Sequence, residues 1–233
     1  MRPMASPPDR RAAGRPPAEE QTVDLSAGDA TLHGDLTLPA DAGGLVVFAH
    51  GSGSSRRSVR NRHVARSLQD AGFATLLLDL LDERESGRRD LVFDITLLAG
   101  RLEVAVGWAR SDPRLTRLPL GLFGASTGAA AALWAAATLA ADVQAIVSRG
   151  GRPDLAADRL ADVPAPTLLI VGSADVDVLA LNRRAAALLT AVHELKVVPG
   201  AGHLFEEPGA LEAVTRLAVA WFGAWSRSRD LSS

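Results

Sequence analysis

Cysteine and tyrosine are absent from the 233 residues, and Lys196 is the one lysine. Without cysteine there can be no disulfide, no thiolate metal site and no cysteine nucleophile. No apolar run approaches the ~20 residues that a membrane span needs. Neither sign of charge dominates, with 25 basic against 27 acidic residues and a formal net charge of −2. That excludes the strong basic excess of a general nucleic-acid binder. The five histidines are dispersed, so no metal-ligand cluster is expected, and no cofactor. What is present is a chain 47% hydrophobic and 22% charged, long enough to bury one substantial core without staples. Its arginine-for-lysine bias and alanine runs read as the base composition of a GC-rich genome. A single arginine therefore carries less weight here than in most sequences.

Residues 1–20, rich in proline and arginine and without an apolar segment, read as a disordered arm rather than a signal peptide. This points to a cytoplasmic protein. From residue 21 the pattern becomes that of one domain running to about 228, with 229–233 as a tail. Thr31–Leu38 alternates like a half-buried strand and pairs back on Thr22–Leu25 across an Ala27-Gly28-Asp29 turn. Short apolar runs follow at Leu45–Ala49, Phe73–Leu78, Leu118–Phe123, Val143–Val147, Thr167–Val171 and Leu195–Val198. Bounded by Gly and Pro, they fit strands buried on both faces of a parallel sheet. Helical segments lie between them, around Val64–Ala71, Ile95–Ala105, Thr127–Ala140, Val178–Thr190 and Pro208–Trp225. Strand and helix in alternation mean an open α/β sheet.

Such sheets place their chemistry at the carboxyl ends of the strands. There Gly124-Ala-Ser126-Thr-Gly128 matches G-x-S-x-G between a strand and a helix. The serine takes a sharp turn, and the glycines on either side let strand and helix approach. A serine nucleophile needs a base and an orienting acid. His33 lies mid-strand, His50 precedes a glycine-rich loop, His63 is helical and His193 begins a strand. His203 alone sits just past a strand end, on a Gly200-Ala-Gly turn. For the acid, Asp175 and Asp177 compete. Asp177 suits the N-cap of a helix starting near Val178, which leaves Asp175 for the histidine. The His50-Gly-Ser52-Gly53 loop follows another strand, so the backbone amides of Ser52 and Thr127 are the expected oxyanion donors. Arg56, Arg57, Arg60, Arg62, Arg149 and Arg152 gather at the same strand ends. They can bind a substrate anion, with Arg149 the preferred residue, or pair with Asp82, Glu83 and Glu85.

Taken together, HGSGSS, RNR, LLLDLL, GASTG, SRGGRPDL, LLIVGSAD, LNR and GAGH resemble the α/β-hydrolase superfamily, and within it the dienelactone-hydrolase-like proteins, over residues 25–225. The resemblance implies an α/β-hydrolase fold, a mostly parallel central sheet flanked by helices. It also implies a triad of Ser126, Asp175 and His203. One departure stands out: authentic dienelactone hydrolases carry a cysteine nucleophile, so their substrate does not transfer. Only about seventeen residues separate the strand ending near Ser148 from the one beginning near Pro166, too few for a helical lid. The expected activity is hydrolysis of small carboxylic esters or lactones, with a small molecule as partner and neither nucleic acid nor membrane. The alternatives are acyl transfer by the same triad, or a non-catalytic binding module on a hydrolase fold.

Overall fold

A computed structural model describes residues 18–226; the expected tail and all but the last residues of the expected arm lie outside that range. The sheet has eight strands in the order β1-β2-β4-β3-β5-β6-β7-β8. They are β1 (Glu19–Ala27), β2 (Ala30–Leu38), β3 (Gly44–Ala49), β4 (Phe73–Leu78), β5 (Leu120–Ala125), β6 (Ala145–Arg149), β7 (Thr167–Gly172) and β8 (His193–Val198). The β1–β2 hairpin and its junction with β4 are antiparallel, and every pairing from β4 to β8 is parallel. β1 begins inside the stretch expected to be disordered, because Glu19 and Glu20 extend the ladder opposite Leu38 and Thr37.

β3 and β4 are fully buried along their length, and their side chains alternate between two cores. Leu45, Val47 and Ala49 join Leu98, Leu102 and Ala131 on one face. Val46 and Phe48 join Val64, Leu68, Val214 and Phe222 on the other. The first face is covered by α3 (Ile95–Ser111) and α4 (Thr127–Leu139), the second by α1 (Val59–Asp70) and α6 (Ala210–Ser226). Two-sided burial is what uniform apolar runs demand of a parallel sheet. After β3 the chain steps outward to β4, then returns past β3 to β5. This reversal of direction opens a crevice at the carboxyl ends of β3 and β5.

Two strands sit two residues later than their apolar runs suggest. β5 starts at Leu120 because Pro119 has no N–H for the ladder, and it runs on through Gly124 and Ala125. β6 likewise extends to Arg149, which is therefore a strand residue rather than part of the following loop. Between β6 and β7, Pro153–Asp162 forms a 3-10 segment that buries Pro153, Ala156 and Leu160 and packs on α4. The short connection is used up as core, with none left over as a lid. A short α2 (Arg89–Val92), the helix α5 (Val176–Ala186) and a 3-10 turn at Ala140–Asp142 complete the described elements. Among the described residues no helix is long and apolar enough to cross a membrane.

Candidate active site

Ser126 occupies the turn between β5 and α4 with φ 51° and ψ −121°, a strained conformation for a residue with a side chain, costing about 1–3 kcal/mol. The glycines around it are forced by contact. A Cβ on Gly124 would lie 2.3 Å from the Ala129 Cα, and one on Gly128 would lie 2.3 Å from the Ala49 carbonyl oxygen. Alanine-rich α4 completes this close approach, with seven successive residues from Thr127 to Leu133 buried. The turn is anchored from β6: the Ser126 N–H donates to the Arg149 carbonyl at 3.2 Å, and the Arg152 N–H donates to the Ser126 carbonyl at 3.1 Å.

His203 and Asp175 meet at the ends of β8 and β7. Nδ1 of the imidazole is 2.7 Å from Asp175 Oδ2. The two loops are held together by backbone: Ala174 N–H donates to the Ala201 carbonyl, and Ser173 N–H to the Val198 carbonyl. Gly200 N–H also donates to Ser173 Oγ. Gly150, next to Arg149, passes under the histidine; a Cβ there would be 3.1 Å from the His203 carbonyl oxygen. The end of β6 and the glycine after it therefore lie against both Ser126 and His203. The Ser126 hydroxyl makes no hydrogen bond among the described residues. Resting hydrolase sites often close that contact only with substrate bound.

α5 begins at Val176, two residues earlier than expected. Asp175 takes the N-cap position, but its side chain makes no capping bond and turns to His203 instead. Asp177 is exposed in the first helical turn. The premise that Asp177 caps the helix is thus corrected, while Asp175 is the acid beside the histidine.

A cavity of about 470 Å³ opens on the α3–α4 side, lined by His50, Ser52, Thr127, Leu80, Leu81 and Leu98 among others. It brings together Ser52 and Thr127, the two residues expected to supply oxyanion amides; Ser126 and His203 are not on its walls. Gly51 presses the loop against the Ser126 turn, where a Cβ would be 2.9 Å from the Ser126 Cβ.

This loop is locked by His50, which the sequence leaves without a role, and by Arg56, whose partners are Asp79 and Asp35 rather than a substrate anion or the expected Asp82, Glu83 and Glu85. His50 Nδ1 is 2.9 Å from the Gly51 carbonyl oxygen, and its Nε2 accepts from the Leu80 N–H at 3.1 Å. Burial lowers the imidazole's pKa, against the opposing pull of the Gly51 carbonyl and the Asp79 charge. The neutral tautomer with hydrogen on Nδ1 satisfies both bonds. Arg56 pairs with Asp79 through Nη1 and with Asp35 through Nε at 3.3 Å, and its N–H donates to Asp79 Oδ1 at 2.6 Å. Burial opposes its charge, yet the Asp79 hydrogen bond and the two carboxylate charges hold its pKa above the ordinary value. Asp82 and Glu85 pair elsewhere, with Arg84 and with Arg101 from α3.

Arg149 is different. It is 8% exposed, and its Nε and Nη1 are buried with no hydrogen-bond partner. Burial, with the Arg60 charge adding to it, lowers its pKa to about 10, which still leaves it protonated at neutral pH. Among the described residues no group of three or more His, Cys, Asp or Glu is placed to hold a metal.

Residues 32–230 match the dienelactone hydrolase family. Over 211 residues, 91% of this chain, 57% are identical to proteins of two Mycobacterium tuberculosis strains that carry the provisional name phosphoribosyl transferase. The chain spans about half, 48%, of the length of those curated relatives. The solved structure of a dienelactone hydrolase from Anabaena variabilis is 53% identical, with a TM-score of 0.87 covering 89% of this chain and 98% of that one. An esterase of Pyrococcus furiosus, 18% identical, superposes with a TM-score of 0.72 over 90% of this chain and 92% of its own. That last likeness speaks to the fold alone.

Proposed function

The chain belongs to the dienelactone hydrolase family, and from that premise we propose that it is a serine hydrolase of small carboxylic esters or lactones. The observation that carries this reading is the Asp175–His203 pair, linked through Arg149 and Gly150 to a serine on a strained strand-to-helix turn. In this reading Ser126 Oγ attacks the ester carbonyl while His203 Nε2 takes its proton. Asp175 holds the other imidazole nitrogen protonated and steadies the imidazolium that forms. The amides of Ser52 and Thr127 receive the negative charge that develops on the carbonyl oxygen. His203 then gives its proton to the departing alkoxide, leaving an acyl group on Ser126. Water, deprotonated by the same histidine, releases the acid and restores the serine.

Serine takes the place of the family's cysteine, since the chain has none. The nearby cavity of about 470 Å³ suits a small ligand body. The name phosphoribosyl transferase describes proteins about twice as long as the stretch matched here, so it is not carried over.

The test is covalent labelling with a fluorophosphonate together with turnover of 4-nitrophenyl acetate. Ser126→Ala is expected to lose both, with kcat falling on the order of 10⁶-fold as in serine-protease knockouts and the fold intact by circular dichroism. Stoichiometric labelling of the folded Ser126→Ala protein would mean that another residue is the nucleophile.

A further inference from the structure

Arg149 ends β6 with its neighbours in register at Ala125 on β5 and Ile170 on β7, one residue from Ser126 along the sheet. Paired residues share a face, and Val147 and Ile170 lie in the core beneath α1 and α6. The guanidinium therefore projects to the α1–α6 side of Ser126, whereas Leu98 and Leu80 place the 470 Å³ cavity on the other side.

No hydrogen bond from the Arg149 side chain is present among the described residues, and Nε and Nη1 are sealed from solvent. The charged group that acts on it is another cation, Arg60, in the first turn of α1. Arg60 gives Nη1 to Glu206 at 2.9 Å, three residues beyond His203, while its own Nε is buried and unpartnered. One carboxylate thus stands against two guanidinium groups. A buried cation without a partner is costly, and charge-assisted bonds to an oxyanion are the strong way to relieve it. Elsewhere in this chain arginines find carboxylates readily: Arg56, Arg62, Arg101, Arg114 and Arg152 all do. Of the two buried arginines among the described residues, Arg101 and Arg149, the one without a carboxylate lies beside the proposed nucleophile.

We infer that Arg149, assisted by Arg60, is a subsite for an oxyanion carried by the substrate, so that the ester has an uncharged arm in the cavity and a carboxylate or phosphate arm on the α1 side of Ser126. This rests on Ser126 being the nucleophile and adds to it the charge of the substrate.

Two measurements test it on the full chain. The first compares kcat/KM for mono-4-nitrophenyl glutarate with that for its neutral methyl ester, corrected for spontaneous hydrolysis. The wild-type protein should favour the anionic ester. Arg149→Met should lower the anionic-to-neutral ratio by ~10²-fold and Arg60→Gln by less, the scale set by removing one member of an enclosed charge pair. A ratio that Arg149→Met leaves unchanged, even with both rates reduced, overturns the subsite. The second is thermal unfolding of the catalytically silent Ser126→Ala protein in glutarate or inorganic phosphate, against chloride of equal ionic strength. A Tm rise of a few degrees that disappears with Arg149→Met supports the subsite. Response to glutarate alone identifies a carboxylate, and response to phosphate alone a phosphate. No rise with either anion overturns it. Should Arg149→Met not fold, Arg60→Gln carries both comparisons. The Tm arm does not depend on turnover, so loss of the anion response with labelling and neutral-ester turnover intact defeats this inference alone. The converse result defeats the serine-hydrolase reading and leaves the anion site standing.

Discussion

Two flanks of one serine are built on opposite terms. On the side of the β3 and β4 exits, Arg56 is held by Asp79 and Asp35, His50 by Gly51 and Leu80, and Arg101 by Glu85 and the Leu80 carbonyl. On the side of the β6, β7 and β8 exits, Arg149 Nε and Nη1 have no partner among the described residues, Asp175 leaves its cap unused, and Phe205 sits at φ 55°. The first flank spends its polar groups on rigidity, which suits a loop whose amides must be in place before charge develops. The second keeps polar groups unsatisfied and backbone strained, the state in which binding and catalytic groups are commonly held. Removing a side chain from the first flank should therefore cost stability. Removing one from the second should cost rate or recognition.

The sharpest test of that division is Asp175→Asn beside Asp177→Asn. Asp175 holds the imidazole tautomer, so its loss should reduce kcat by ~10³-fold or more, as when a triad loses its acid. Because Asp175 makes no capping bond, Tm should hardly move. Asp177 is exposed in the first turn of α5, and its substitution should leave the rate within a few-fold. Steady-state kinetics with 4-nitrophenyl acetate decide the matter; if Asp177→Asn is the slower protein, the two aspartates exchange roles.

Stability should show the reverse ranking at the arginines. Arg56→Met leaves Asp79 largely enclosed without its cation, and breaking such a pair should cost about 2–3 kcal/mol, somewhat less than a fully buried one. Arg149→Met removes an unpartnered charge and fills its space with apolar atoms. It should be neutral or stabilising by up to about 1 kcal/mol. Urea titration of both proteins measures the difference directly. If Arg149→Met proves the more damaging, the guanidinium is structural and the contrast between the flanks disappears.

The two flanks were unequally legible in the sequence. G-x-S-x-G stood out because both glycines answer a steric demand, with backbone 2.3 Å from where each Cβ would be, and steric demands leave local signatures. His203 was found because it follows a strand on a glycine turn. Asp175 was reached through a wrong premise, since Asp-Val-Asp offers two capping residues and only the fold shows α5 starting at Val176. The locked flank was hardly visible. Arg56 and Asp79 are 23 residues apart and meet because β3 lies beside β4, a choice that topology makes. The acids nearest those arginines in the reading, Asp82 and Glu85, are taken by Arg84 and Arg101. His50 read as a loop residue because its partner, the Leu80 N–H, is backbone, and backbone partners carry no sequence signal. The sheet itself followed from its apolar runs, with errors confined to strand ends, where Pro119 delays β5 and polar residues extend β1 and β8 beyond the apolar runs.

The smallest expected effect concerns His50 and falls on stability. Its imidazole must be neutral in the fold, because Nε2 accepts from the Leu80 N–H, and burial holds its pKa below the ordinary 6.5. In the unfolded chain it titrates normally. As pH falls through about 6.5 the unfolded chain therefore takes up a proton before the folded one does. Stability from this group is full above that pH and declines below it, by at most ~1.4 kcal/mol per pH unit until the folded imidazole also protonates. His50→Gln keeps an amide in the space and removes the titration. Its overall stability should be lower at pH 7.5, where the lock is intact in the wild type, but its further loss between pH 7.5 and 5.5 should be smaller by about 1 kcal/mol. Urea denaturation of both proteins at the two pH values gives that difference. An identical loss in wild type and variant would show that the imidazole does not hold the loop through its neutral form, and that the rigidity of this flank comes from the Arg56–Asp79 pair alone.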